Sequence, residues 1–243
     1  MTVIPSDAVS SSPAPAPPTS AEPTRPSPVD AARHVVHVKP LWRGWLHLVW
    51  FQVSLVLGTV LILRADPSAR AATVIYSASV SGLFGASALY HRGNWRPRTH
   101  AIMQRLDHMM IFLFIAGSAT PVFVVAMPGA VGTVMLAGIW TLAVMASIIH
   151  LVWMDAPELL VGSTFVGLGL LGGLALPAVW IHSGTGAFLL MLAGGVLYIV
   201  GAALYHRRRP DPRPAVFGFH EVFHVFVCAA AAAQYLAIAG LVL

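Results

Sequence analysis

Charge is scarce in this 243-residue chain: Asp, Glu, Lys and Arg make up 9% of it, against about 25% in a soluble domain. With 57% hydrophobic residues, too little polar material remains to cover a water-exposed surface, so a polytopic membrane protein is expected. The single cysteine, Cys228, excludes a disulfide framework. Lying within an apolar run, it reads as a small buried side chain, not a reactive thiol. Acidic residues number nine against fourteen Lys and Arg, for a net charge of +5. That excess does not imply nucleic acid, because the arginines cluster beside apolar segments, as orientation signals do. No basic-then-apolar stretch opens the sequence, so no cleavable signal peptide is expected.

What the chain does have begins with a tail over residues 1–40, rich in Pro, Ala and Ser (Pro13-Ala14-Pro15-Ala16-Pro17-Pro18). Such a composition buries no core and is expected to be disordered. Residues 41–243 are expected to form one membrane domain. A spanning helix needs about 20 mostly apolar residues, and seven segments qualify: 45–63, 71–90, 106–127, 129–153, 158–181, 185–205 and 216–243. The fold class is therefore all-α, a seven-transmembrane helix bundle. Met127-Pro128-Gly129 makes a tight turn between the third and fourth segments. Asp155 with Glu158, and Pro157 between them, reads as a capping box for the fifth. Pro121 is expected to kink the third. Gly169 and Gly173, and Gly82 and Ala86, have the four-residue spacing of close helix packing.

Seven spans put the termini on opposite sides, and the basic residues choose between them. The tail (Arg25, Arg33, Lys39, Arg43), the loop after the second span (Arg92, Arg96, Arg98, Arg105) and the loop after the sixth (Arg207, Arg208, Arg209, Arg213) share one side. Only Arg64 and Arg70 fall on the other. This bias predicts a cytoplasmic N-terminus and an extracytoplasmic C-terminus.

Histidines are costly at membrane depth and mark functional sites there. His220-Glu221-Val222-Phe223-His224 places two imidazoles four apart, on one helix face. The pattern also matches H-E-x-x-H, in which Glu is the general base of a zinc protease. The topology brings Ser87 and His91, at the end of the second span, and Asp107, at the start of the third, to the same depth. Three neutral imidazoles with an open fourth position are the ligand set of a catalytic zinc, so His91, His220 and His224 are the candidate metal ligands. Asp107 is then a fourth ligand or the group that deprotonates a water, and Ser87 orients the water or a substrate carbonyl. Blander roles stand beside these: Asp107 pairing with Arg105 or capping its helix, Ser87 packing or bonding a helix carbonyl. Glu221 points about 100° away from His220 and is expected to face a loop arginine. His108 reads as structural, while His47, His150, His182 and His206 lie near helix ends, where such rings are commonplace.

Taken together, Ser87-Ala88-Leu89-Tyr90-His91, Arg105-Leu106-Asp107-His108 leading into Ile115-Ala116-Gly117-Ser118-Ala119-Thr120-Pro121, and His220-Glu221-Val222-Phe223-His224 resemble the hemolysin III family. That family is the bacterial branch of the progestin and adipoQ (adiponectin) receptor superfamily. The resemblance covers about residues 40–243. It implies a seven-helix bundle with zinc bound at His91, His220 and His224, and Asp107 acting through water. The first span departs from the family pattern: Arg43-Gly44-Trp45-Leu46-His47 keeps a closing histidine but lacks acidic and amide partners. The superfamily's similarity to alkaline ceramidases makes a zinc-dependent hydrolase of a lipid amide or ester the leading expectation, with a membrane lipid or fatty-acyl substrate. Its alternatives are a non-catalytic sensor or regulator with structural zinc, a cytolytic protein, and an intramembrane protease. The last is disfavoured because the His-Glu motif sits in the final span, with nothing acidic after Glu221.

Overall fold

A computed structural model describes residues 39–153 and 156–243, apart from the Glu158 side chain. The expected tail up to Val38 and the Asp155–Glu158 cap therefore lie outside the described residues. Among the described residues seven α-helices follow one another: α1 (Trp45–Arg64), α2 (Arg70–Arg92), α3 (Pro97–Ala126), α4 (Ala130–Val152), α5 (Glu158–Gly173), α6 (Leu176–Arg207) and α7 (Phe219–Val242). No strand occurs among the described residues; Arg213 and Phe217 make one isolated bridge. All helices but α5 are long and apolar enough to cross a membrane. The protein is an integral, multi-pass membrane protein.

The fifth and sixth segments divide where the sequence suggests, but the helix ends do not. Leu174 and Ala175 keep right-handed helical dihedrals, so the chain stays coiled from Glu158 to Ser183, roughly 26 residues or about 39 Å. The break is at Gly184, whose φ of 80° inside α6 is open to glycine at no steric cost. Met127-Pro128-Gly129 separates α3 from α4 as expected, with Gly129 at φ 103°.

Three expectations need correction. Helix α3 starts at Pro97 instead of 106, because a proline at the first helical position is preset for the helix. Its polar first turns simply lie outside the apolar run. Helix α7 starts at Phe219, where the Asp211 carboxylate accepts the Phe219 N–H at 2.9 Å and Glu221 accepts the Gly218 N–H at 2.8 Å. Gly169 and Gly173 are not packing contacts, since a side chain at either would meet open space. The close approaches lie elsewhere. Gly117 presses on Ser79 between α3 and α2, and Gly194 and Gly201 of α6 press on Gln234 and Phe226 of α7. Through Pro121, α3 runs unbroken.

Helix α3 is the hub, touching α2, α4, α5, α6 and α7, whereas α5 packs only lightly on its neighbours. Buried residues of α2 recur at Ala72, Tyr76, Val80, Leu83, Ser87 and His91, a stripe at helical spacing facing the core. His91 ends that stripe, which fixes its direction. On α7 the stripe runs His224, Val227, Cys228, Ala231, Ile238 and Leu241; Cys228 is buried, as expected. The first and last helices are stitched at both ends by backbone bonds. Leu41 and Trp42 donate to Ala215 and Val216 at 3.1 and 3.0 Å, and Asp66 donates to Val242 at 2.9 Å.

Candidate metal centre

Helix α7 sets two of the three imidazoles. His220 lies in its first turn and His224 one turn later, so their side chains stack along one face. The ring centroids are 4.6 Å apart. His91, at the C-terminal end of the α2 stripe, meets them from the opposite side: its Nε2 lies 3.2 Å from His220 Nε2, and its ring 5.2 Å from that of His224. One nitrogen of each residue lies within 4.8 Å of the other two. Ligands held at 2.0–2.1 Å in a tetrahedron lie about 3.3–3.4 Å from one another, so the His91–His220 pair already has the separation a metal ion requires. His224 is 2% exposed, and its Nδ1 is buried without a hydrogen-bond partner. A buried polar atom normally finds a partner.

Asp107 stands in the third turn of α3, too far from Pro97 to cap the helix, and it does not pair with Arg105. Its Oδ2 is 3.7 Å from His91 Nε2, and the Ser87 hydroxyl donates to its carboxylate. Ser87 and His91 share a face of α2, one turn apart, so α2 supplies both a candidate ligand nitrogen and the hydroxyl that holds the carboxylate. The structure thus brings together His91, His220, His224, Asp107 and Ser87.

Glu221 faces away from this cluster. It is fully buried; Oε1 accepts from Arg43 Nε at 2.5 Å, and Oε2 takes the Gly218 N–H. Both oxygens are spent on holding the start of α7 to the stretch before α1, which excludes the general-base role of the zinc-protease pattern. Gly44, next to Arg43, adopts φ +78°, and a Cβ there would lie 2.8 Å from His91 Cβ. Only glycine fits both that conformation and that approach.

Two histidines matter more than the sequence suggests. His47 of α1 is 3% exposed and lies flat on His224, with centroids 3.7 Å apart and ring planes 18° apart. Phe84 packs on it nearly at a right angle, with centroids 5.0 Å apart. The signal that could have found it was the closing histidine of the first-span motif. His108, expected to be structural, bonds through Nδ1 to His150 Nε2 at 2.9 Å.

Comparison with known proteins identifies the family. A family model described as "Haemolysin-III related" matches residues 36–235. Hemolysin-3 of Bacillus cereus is 30% identical over 185 residues, covering 74% of this chain and 80% of that protein. A Hemolysin-3 homolog of Bacillus subtilis (strain 168) is 26% identical over 164 residues, 68% of this chain and 74% of its own. All five clustered residues fall within the matched region. The chain belongs to the haemolysin III family.

Proposed function

We propose that His91, His220 and His224 hold a zinc ion and that the protein is a zinc-dependent hydrolase of a lipid amide or ester bond. The observation that carries this reading is the three-imidazole cluster with a carboxylate beside it, built from three helices at one depth. The donor set fits zinc: all three ligands are nitrogens, neutral imidazoles suit that ion, and the orphaned Nδ1 of His224 belongs to a residue in need of a partner. When bound, zinc supplies Lewis acidity and lowers the pKa of water towards ~7. Asp107 takes the proton of the attacking water and returns it to the leaving amine or alcohol. Ser87 positions the Asp107 carboxylate through its hydroxyl. Low exposure of His91, His224 and Asp107 keeps bulk water out, and the acyl chain reaches the site from the bilayer. We place the arginine-rich face, and with it the site, at the cytoplasmic leaflet, which C-terminal tag accessibility in intact cells tests.

The experiment is metal analysis with lipid turnover. Purified protein should hold about one zinc per chain and cleave a fluorescent long-chain N-acyl amide or the matching ester. Asp107→Ala should keep the zinc and lose turnover; turnover unchanged in that variant refutes the mechanism. A receptor-like regulator with structural zinc is the second reading, favoured by the 3.7 Å approach of Asp107 to His91, close enough for the carboxylate to close a fourth position. X-ray absorption showing four protein ligands and no water would support it. The relatives' name, hemolysin, raises membrane lysis as a third reading, which leakage from dye-loaded liposomes tests.

A further inference from the structure

A cavity of about 560 Å³ lies between α4 and α5, with Phe112 of α3 at its back. Ligand pockets run from roughly 300 to 1,000 Å³ and pair apolar walls with a few placed polar groups. Leu142, Met145 and Ile149 of α4 and Leu160, Gly167 and Leu171 of α5 form the walls. Thr164 also lines it, but its hydroxyl is spent on the Leu160 carbonyl at 2.8 Å. His150 is the exception. It is 6% exposed, its Nε2 is engaged with His108, and its Nδ1 is buried with no partner.

The dimensions name the occupant. Along α4 the lining runs from Leu142 to Trp153, and along α5 from Leu160 to Leu171, about 16 Å each at 1.5 Å per residue. That is close to half of the ~30 Å hydrocarbon core of a bilayer, the depth of one leaflet. His150 lies near the end of the slot that faces the same side as the histidine cluster. Leu142, Ile149 and Leu160 are about half exposed, so the slot is open sideways to lipid. We propose that this cavity binds a long-chain fatty acyl group whose polar end hydrogen-bonds His150 Nδ1. Either tautomer serves. With Nδ1 protonated the histidine donates to a carboxylate or ester carbonyl; with Nε2 protonated it accepts from a hydroxyl or amide N–H. His108 holds the ring in place from α3. The site goes beyond the hydrolase reading and does not depend on it, because its lining shares no residue with the histidine cluster.

The test uses the full chain in nanodiscs with a photoreactive diazirine analogue of palmitic acid. Cross-links are expected in residues 142–153 and 160–171. A side chain at Gly167 would meet nothing within 4 Å, so Gly167→Phe fills the slot and should lower labelling at least fivefold at an unchanged melting temperature. If the Phe variant loses its melting transition, Gly167→Leu replaces it, with the same expectation. His150→Phe should lower labelling about fivefold for the acid probe and leave a diazirine hydrocarbon without a polar end unaffected. Competition by free palmitic acid against a dipalmitoyl phospholipid tells a free acid from a membrane lipid as the source. Labelling that maps elsewhere, or that survives in the filled variants, overturns the proposal. So does labelling lost on zinc chelation, which would assign the ligand to the histidine cluster, whereas labelling retained in the Asp107→Ala and chelated proteins supports a separate site.

Discussion

Removing Arg43 should destabilise the bundle more than any other change at its surface. Glu221 has no exposure and Arg43 about one-fifth, so Arg43→Met strands a carboxylate among helices with only the Gly218 N–H to hold it. Breaking a buried pair by deleting one partner costs about 3–5 kcal/mol. Partial exposure of Arg43 puts the value near the lower end, about 3 kcal/mol. At roughly 2–4 °C per kcal/mol for a chain of this size, the melting temperature should fall by about 6–12 °C. Glu221→Gln should cost only about 1 kcal/mol, because its amide oxygen still accepts from Gly218 and Arg43 reaches water. The double variant should recover most of the loss, since no charge is left unpaired, and the cycle should return a coupling of about 3 kcal/mol. Differential scanning fluorimetry on the four proteins measures this. An Arg43→Met melting temperature within a degree of the parent would refute the reasoning. Turnover lost in Glu221→Gln with zinc retained would restore the glutamate as a base.

Gly44→Ala combines left-handed strain of about 1–2 kcal/mol with a push on His91. It should weaken zinc binding roughly tenfold, read by competition with a fluorescent chelator, and a parental affinity would argue against the contact. Stripping zinc should lower the melting temperature reversibly. Zinc at 1,000 times its dissociation constant contributes about 4 kcal/mol, and zinc but not magnesium should restore it. His47→Phe keeps the stack on His224 and removes two buried nitrogens that have no partners. The melting temperature should hold or rise, and a fall of several degrees would show that His47 makes a polar contact in the membrane.

The clustered residues could be found in sequence because a histidine or aspartate at membrane depth is costly, and because helix direction alone assigns each to one end of the bundle. Rotation about a helix axis is not legible in that way. His47 and His150 lie near helix ends like His182 and His206, and only packing separates a ring stacked on His224 from one facing lipid. Small-residue spacing proved ambiguous for the same reason: Gly169 and Gly173, four apart, have no neighbour to use the spacing, whereas Gly194 and Gly201, seven apart, do. Helix ends were misjudged where polar turns extend beyond the apolar run, as from Pro97 to Arg105. The Arg43–Glu221 partnership was half visible, since the glutamate was expected to face an arginine but not one preceding the first helix.

The stitch between the two ends of the chain has a temporal consequence. Arg43 and Glu221 are 178 residues apart, and His91 and His220 are 129 apart. At a synthesis rate of about 5–20 residues per second, Arg43 waits roughly 9–36 s for its partner to emerge. The imidazole trio likewise cannot close until the last helix is inserted. Any metal the trio holds is then captured last, because a chain that stalls before α7 lacks two of the three imidazoles that would hold it.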